Sequence, residues 1–179
     1  MANEVMNKEM IKQGNVSLVL NSYDDIFSSF DPRGYSEKSL SDDFLNECKK
    51  AAKDKSDDFE LRLMLEKSKR SVSDEAKIRR RLKEHFQKHF NEKQGEIRKI
   101  KNEGFIWVVL GALLIFGIVF GSIKFESIVL QSILTILEVP GWFLLWEGMS
   151  KILMESRRLN PEYDFYKKMA LSQIIFLSY

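Results

Sequence analysis

From Gly104 to Ile123 the chain carries no ionisable side chain: Gly-Phe-Ile-Trp-Val-Val-Leu-Gly-Ala-Leu-Leu-Ile-Phe-Gly-Ile-Val-Phe-Gly-Ser-Ile. Wound as a helix, 20 residues at about 1.5 Å each reach about 30 Å, the thickness of a bilayer's hydrocarbon core. A helix in a soluble core keeps a polar face, so a run that is apolar on every side over this length reads as a membrane span. It starts too deep in the chain for a signal peptide, and Met1–Lys12 has no hydrophobic stretch. The region ahead of it is therefore expected to stay unsecreted.

A second apolar segment runs from Ser127 to Trp146 and contains Gln131, Glu138 and the Pro140-Gly141 pair. Either the whole stretch crosses with a kink at Pro140, or Ser127–Leu137 forms a re-entrant piece of about 16 Å, too short to cross unaided. Proline removes one backbone donor and bends a membrane helix without ending it, which favours the crossing. Lys88, Lys93, Arg98, Lys99 and Lys101 precede the first span. Lys151, Arg157 and Arg158 follow the second, and the turn offers only Lys124. The positive-inside rule then sets both termini in the cytoplasm. Trp107 opens the first span and Trp142 and Trp146 close the second, so in a hairpin all three indoles fall near one interface. The expected localisation is the cell (inner or plasma) membrane.

Composition narrows the functional classes. Lys+Arg number 28 against 26 Asp+Glu, a net charge of +2, which gives no support to a nucleic-acid binder held by a large basic surface. One cysteine, Cys48, excludes an intrachain disulfide and a multi-cysteine metal site.

The polar parts show an α/β pattern. Val16–Leu20 and Phe59–Leu65 read as strands, the second with Phe59, Leu61, Leu63 and Leu65 on one face. Between them a helix from about Ser41 to Ala52 buries Phe44, Leu45, Cys48, Ala51 and Ala52, completing a βαβ unit. From Ser73 to Ile123 no proline intervenes, and Ile78, Leu82, Phe86, Phe90, Ile97 and Ile100 form an amphipathic stripe leading into the first span. After the second span Asn160-Pro161 starts a helix with Tyr163, Tyr166, Met169 and Ala170 expected inward. Ile174–Leu177 is β-like and suits a third strand. The predicted fold is a small cytoplasmic αβ domain of two or three strands (residues 1–72) and an amphipathic stalk (73–103). Transmembrane helices over 104–123 and 127–146 follow, then a cytoplasmic segment, 147–179, that returns to the domain.

Several residues invite chemistry. Asp24, Asp25 and Asp31, with Arg33, lie just after the first strand, where α/β proteins bind ligands, and form a possible docking loop. Against that, Ser22–Asp25, Ser39–Asp42 and Ser71–Asp74 all match capping-box spacing with Asp at the last position. His85 and His89 are spaced i, i+4 with no third ligand in view, so no metal is assigned. Cys48 reads as a core thiol. Glu138, with Gln131 seven residues away on nearly the same helix face, makes an intramembrane polar strip, unless the helix unwinds at Pro140 and leaves Glu138 wet. Gly117 and Gly121 form a G-x-x-x-G helix-packing motif, with Gly111 on a different face.

No P-loop, dinucleotide-binding glycine pattern, Ser-His-Asp order or zinc signature is present, and no cofactor is expected. The reading is a non-enzymatic membrane protein whose cytoplasmic domain senses or docks something and is coupled to a two-helix hairpin. Its partners are the bilayer and further copies of itself, as a membrane-perturbing or signalling effector. The alternatives are an accessory subunit of a larger membrane complex, or a membrane-tethered enzyme using the Asp24/Asp25/Asp31 loop.

Overall fold

The computed structural model describes residues 16–53, 55, 59–124 and 127–179. The Met1–Lys12 segment and residues 125–126 of the expected turn between the apolar segments lie outside the described residues. The chain is mostly helical, with one three-stranded parallel sheet and two long apolar helices. It divides into two compact units. One holds the described residues up to Asn91 together with Glu162–Tyr179; the other is Glu92–Pro161.

In the first unit the strands are β1 (Val16–Val19), β2 (Glu60–Leu65) and β3 (Gln173–Ser178), all parallel, with β2 in the centre. Alternation decides which face is covered. Val16, Leu61 and Ile174 stand in register, as do Leu18, Leu63 and Phe176. These residues form one core with Phe44 and Cys48 of α1 (Asp42–Ala52), with Ile78, Leu82 and Phe86 from the start of α2 (Val72–Lys124), and with Phe165 and Met169 of α4 (Asn160–Leu171). Side chains of this kind each contribute about 1.5–3 kcal/mol on full burial. The intervening residues are less apolar and less buried: Ser17 aligns with Arg62 and Ile175, and Val19 is 65% exposed.

The C-terminal strand is what makes this sheet viable. Two strands alone leave the hydrophobic row of β2 half covered, and β3 completes the ladder on its other side. On α4 the expected Met169 is buried and Tyr166 and Ala170 pack half-buried against the core; Phe165, which the sequence reading left out, is buried beside them, and Tyr163 is half-buried.

In the second unit, α2 completes its course and α3 (Ile128–Ser150) follows. α3 is helical through Pro140, so neither a break after Leu137 nor an unwinding at Pro140 occurs. Proline's fixed φ suits a helix, and the cost is one missing donor to the Ile136 carbonyl. Lys151–Glu155 continues as a single π turn, and Ser156–Arg158 adds a last α turn.

Candidate functional site

The candidate site is the apolar helix pair of the second unit. Residues of α2 that are buried or half-buried recur at Gly104, Val108, Gly111, Ile115 and Ile118, in steps of four and three; Gly141, Leu145, Gly148 and Ile152 repeat that spacing on the other side. Such steps define a seam along one side of a helix. At the seam the backbones touch. A methyl group on Gly104 would stand 2.8 Å from the Gly148 carbonyl oxygen, and one on Gly148 2.6 Å from that of Gly104. On Gly111 it would stand 2.9 Å from the Gly141 carbonyl oxygen and 2.7 Å from the Leu145 nitrogen. Pairing 104 with 148 and 111 with 141 means the two segments run in opposite directions. Lys151 donates to Glu103 across the same end at 3.5 Å.

Of the glycines singled out from sequence, Gly121 lies against Leu134, 3.3 Å from its would-be Cβ, while Gly117 has nothing within 4 Å. The close approach uses glycines seven apart on each helix, because a seven-residue step returns to the same face. Around the seam, large side chains point outward: Phe105, Ile106, Leu113, Phe116, Phe120, Ile128, Ile136 and Phe143 are all exposed. Trp107 lies between the two glycine contacts on α2, and Trp142 and Trp146 between their partners on α3, so the three indoles share one level of the pair.

Glu138 and Gln131 are both exposed on α3, and a seven-residue separation leaves them about 20° apart around it. Ser132 and Thr135 bond back to the Ile128 and Gln131 carbonyls, which satisfies their hydroxyls within the helix.

The loop between β1 and α1 is built by its own carboxylates. Ser22 caps the turn Tyr23–Ile26, and Asp25 returns the bond to the backbone of Asn21 and Ser22, a complete capping box. Asp24 pairs with Lys38 at 3.1 Å. Asp31 accepts from the Arg33 guanidinium at 2.7 Å and from the Ser39 amide at 2.7 Å, and these bonds hold its carboxyl far below the usual range. Phe27 and Leu40 bridge the base of the excursion, and Tyr35 stacks on Phe27. The Ser39–Asp42 box does not form: Ser39 is consumed by this loop and Ser41 stands at the N-cap of α1. Asp24, Asp25, Asp42 and Asp43 line an open cleft of about 600 Å³ with Phe27 and Phe30, and Phe30 is 95% exposed. Asp31 and Arg33 are turned to each other.

Sequence reasoning missed a buried, fully bonded carboxylate in this unit. Glu75, 5% exposed, accepts from Arg70 Nε at 2.7 Å, Arg70 Nη2 at 3.0 Å and the Tyr23 hydroxyl at 3.0 Å. Arg70 also donates to the Phe176 carbonyl, and the Ser71 amide donates to Tyr23 Oη. The cluster ties β3, the loop after β1 and the start of α2 together. The Arg70 bonds pull the Glu75 carboxyl below its ordinary value. Arg70 and Glu75 are five residues apart, but the bonds to Tyr23 and Phe176 span 52 and 106 residues and leave no local pattern; only Glu75 on an otherwise apolar helix face hinted at the cluster.

His85 and His89 pack 4.4 Å apart between ring centroids, and His89 stacks on Tyr166. Among the described residues, the His85 Nε2 is buried without a hydrogen-bond partner. Burial, then His89, Arg81 and Lys88, pushes the His85 pKa down to about 4. Cys48 is fully buried and its thiol is pushed up to about 12 by desolvation. Among the described residues, no three His, Cys, Asp or Glu side chains converge on a metal position. Compared with known proteins, the chain matches no family model, no curated protein and no solved structure.

Proposed function

We propose that the chain is a two-span membrane protein whose helix pair works inside the bilayer as part of an oligomer, a membrane-perturbing or signalling effector, under the control of a cytoplasmic α/β unit that senses or docks a signal. One observation carries this reading. The most apolar 18-residue windows of the two helices are only 11% and 6% buried, although their mean hydropathies are 2.6 and 1.8. Apolar surface on that scale, left in water, would drive aggregation, and lipid removes the cost. Continuous helix pairs the backbone polar groups along both apolar lengths, as lipid requires, apart from the Ile136 carbonyl opposite Pro140. The shared level of the three indoles and the cations beyond it support a cytoplasmic side for both termini. Helix α2 is unbroken from Val72 to Lys124 and belongs to both units, which supports transmission of a signal along it.

Fractionation and cysteine labelling test the reading. In a Cys48→Ala background, Ser127→Cys is expected to react with a membrane-impermeant maleimide added outside intact cells, and Ser178→Cys only after lysis. Recovery of the full chain in the soluble fraction without detergent, or labelling of both positions from one side, would overturn it.

A further inference from the structure

Beyond the apolar length of the helix pair lies a layer of charge whose carboxylates are already engaged. Lys93 holds Glu96 at 3.1 Å, and Lys151 holds both Glu103 at 3.5 Å and Glu155 at 3.9 Å. Arg98, Lys99, Lys101, Arg157 and Arg158 are all exposed, and among the described residues no carboxylate pairs with any of them. Glu147, outside these pairs, sits on the apolar side of Gly148.

We infer that this end of the helix pair is a binding surface for anionic phospholipid headgroups, with Arg98, Lys99, Lys101, Arg157 and Arg158 as the phosphate-contacting cations. The inference rests on the membrane reading above. Position supports it first. The contact of Gly104 with Gly148 and Lys151 fixes a common level for the two segments. From there Lys101, Lys99 and Arg98 lie about 5–9 Å out along α2, and Arg157 and Arg158 about 15 Å beyond Gly148. Those depths match the headgroup layer and the solution just outside it, with the three indoles within about two turns inward of the Gly104–Gly148 contact.

Charge chemistry supports it second. Four to eight cations immediately cytoplasmic of a span attract anionic lipid, each worth about fivefold in local partition. Guanidinium groups without a protein carboxylate keep their paired donors free for phosphate oxygens. A zwitterionic headgroup brings its own cation and gains little, so the surface selects lipids of net negative charge.

The test uses the full-length chain in nanodiscs of mixed phosphatidylcholine and phosphatidylglycerol, with co-purifying lipid counted by native mass spectrometry. Retained lipid is expected to be enriched in phosphatidylglycerol, and the enrichment to fall as sodium chloride rises. The variant K99Q/K101Q/R157Q/R158Q is expected to lose at least tenfold of that enrichment, whereas K83Q, an exposed cation of the other unit, is expected to keep it. Equal retention of both lipids by the parent chain, or an enrichment indifferent to salt and to the fourfold variant, would overturn the inference. Incorporation into pure phosphatidylcholine nanodiscs tests the membrane reading separately: a chain that enters them yet shows no lipid preference fails only the headgroup assignment.

Discussion

Arg70, Glu75 and Tyr23 show how a few side chains hold a small sheet closed. The Glu75 carboxylate is buried as an ion because three donors meet it, two of them from a cation. Replacing Arg70 with Met leaves that charge with one neutral donor, and a loss of about 3–5 kcal/mol is expected. Tyr23→Phe removes two hydrogen bonds, the one donated to Glu75 and the one accepted from the Ser71 amide, and should cost about 1–3 kcal/mol. Hydrogen exchange of the β1–β3 amides measures both. Acid acts in the same direction through two groups. The folded pKa of Glu75 lies below its unfolded value, so its contribution is present above the ordinary carboxylate range and lost as pH falls through the lowered one. His85 sits at about 4 against an ordinary 6.5, so the unfolded chain takes up its proton first; stability is complete above 6.5 and drains away as pH falls toward 4. His85→Leu, which removes the buried Nε2, is expected to flatten the upper part of that loss in an exchange-versus-pH series.

At the level of elements, glycine spacing governs how α2 and α3 meet. Packing in lipid gains little from expelling water, so it depends on how closely two backbones approach. A leucine at Gly148 has to displace the Gly104 backbone, and overpacking of this sort costs about 1–3 kcal/mol. A leucine at Gly117 meets open space in the chain. All three tryptophans lie in this unit, so their emission reports its unfolding alone. Gly148→Leu is expected to lower the emission-detected midpoint and Gly117→Leu to leave it unchanged. If Gly117→Leu instead dissociates a detergent-solubilised oligomer, the Gly117–Gly121 face is the contact between copies.

For the whole molecule, the decisive quantity is the mass of the detergent-solubilised assembly. Several copies of a 21.0 kDa chain and no other protein are expected if the helix pair acts by self-assembly. A stoichiometric foreign subunit would move the chain into an accessory role. Glu138 and Gln131 supply a second readout, because a carboxylate on the exposed side of an apolar helix is stabilised by a polar partner or by water. Glu138→Gln is expected to weaken the assembly where Glu138 lies at a contact between copies. Unchanged mass and unchanged activity would place it outside any such contact.

The strands, the helices and the two apolar segments were legible in the sequence because each follows from a local period or a local run. Alternation marked Phe59–Leu65, and the stripe through Ile78, Leu82 and Phe86 marked α2. The absence of charge from Gly104 to Ile123 marked the apolar length. The Ser22–Asp25 box was readable for the same reason, since all its bonds close within four residues. The seam glycines were not, because which of several glycines meets another backbone depends on the partner helix and its direction. Nor was the union of Arg70, Glu75, Tyr23 and Phe176, residues up to 153 positions apart in the chain. Local sequence decided what each segment becomes; only the tertiary structure decided which buried groups satisfy one another, because that depends on long-range contacts no short window contains.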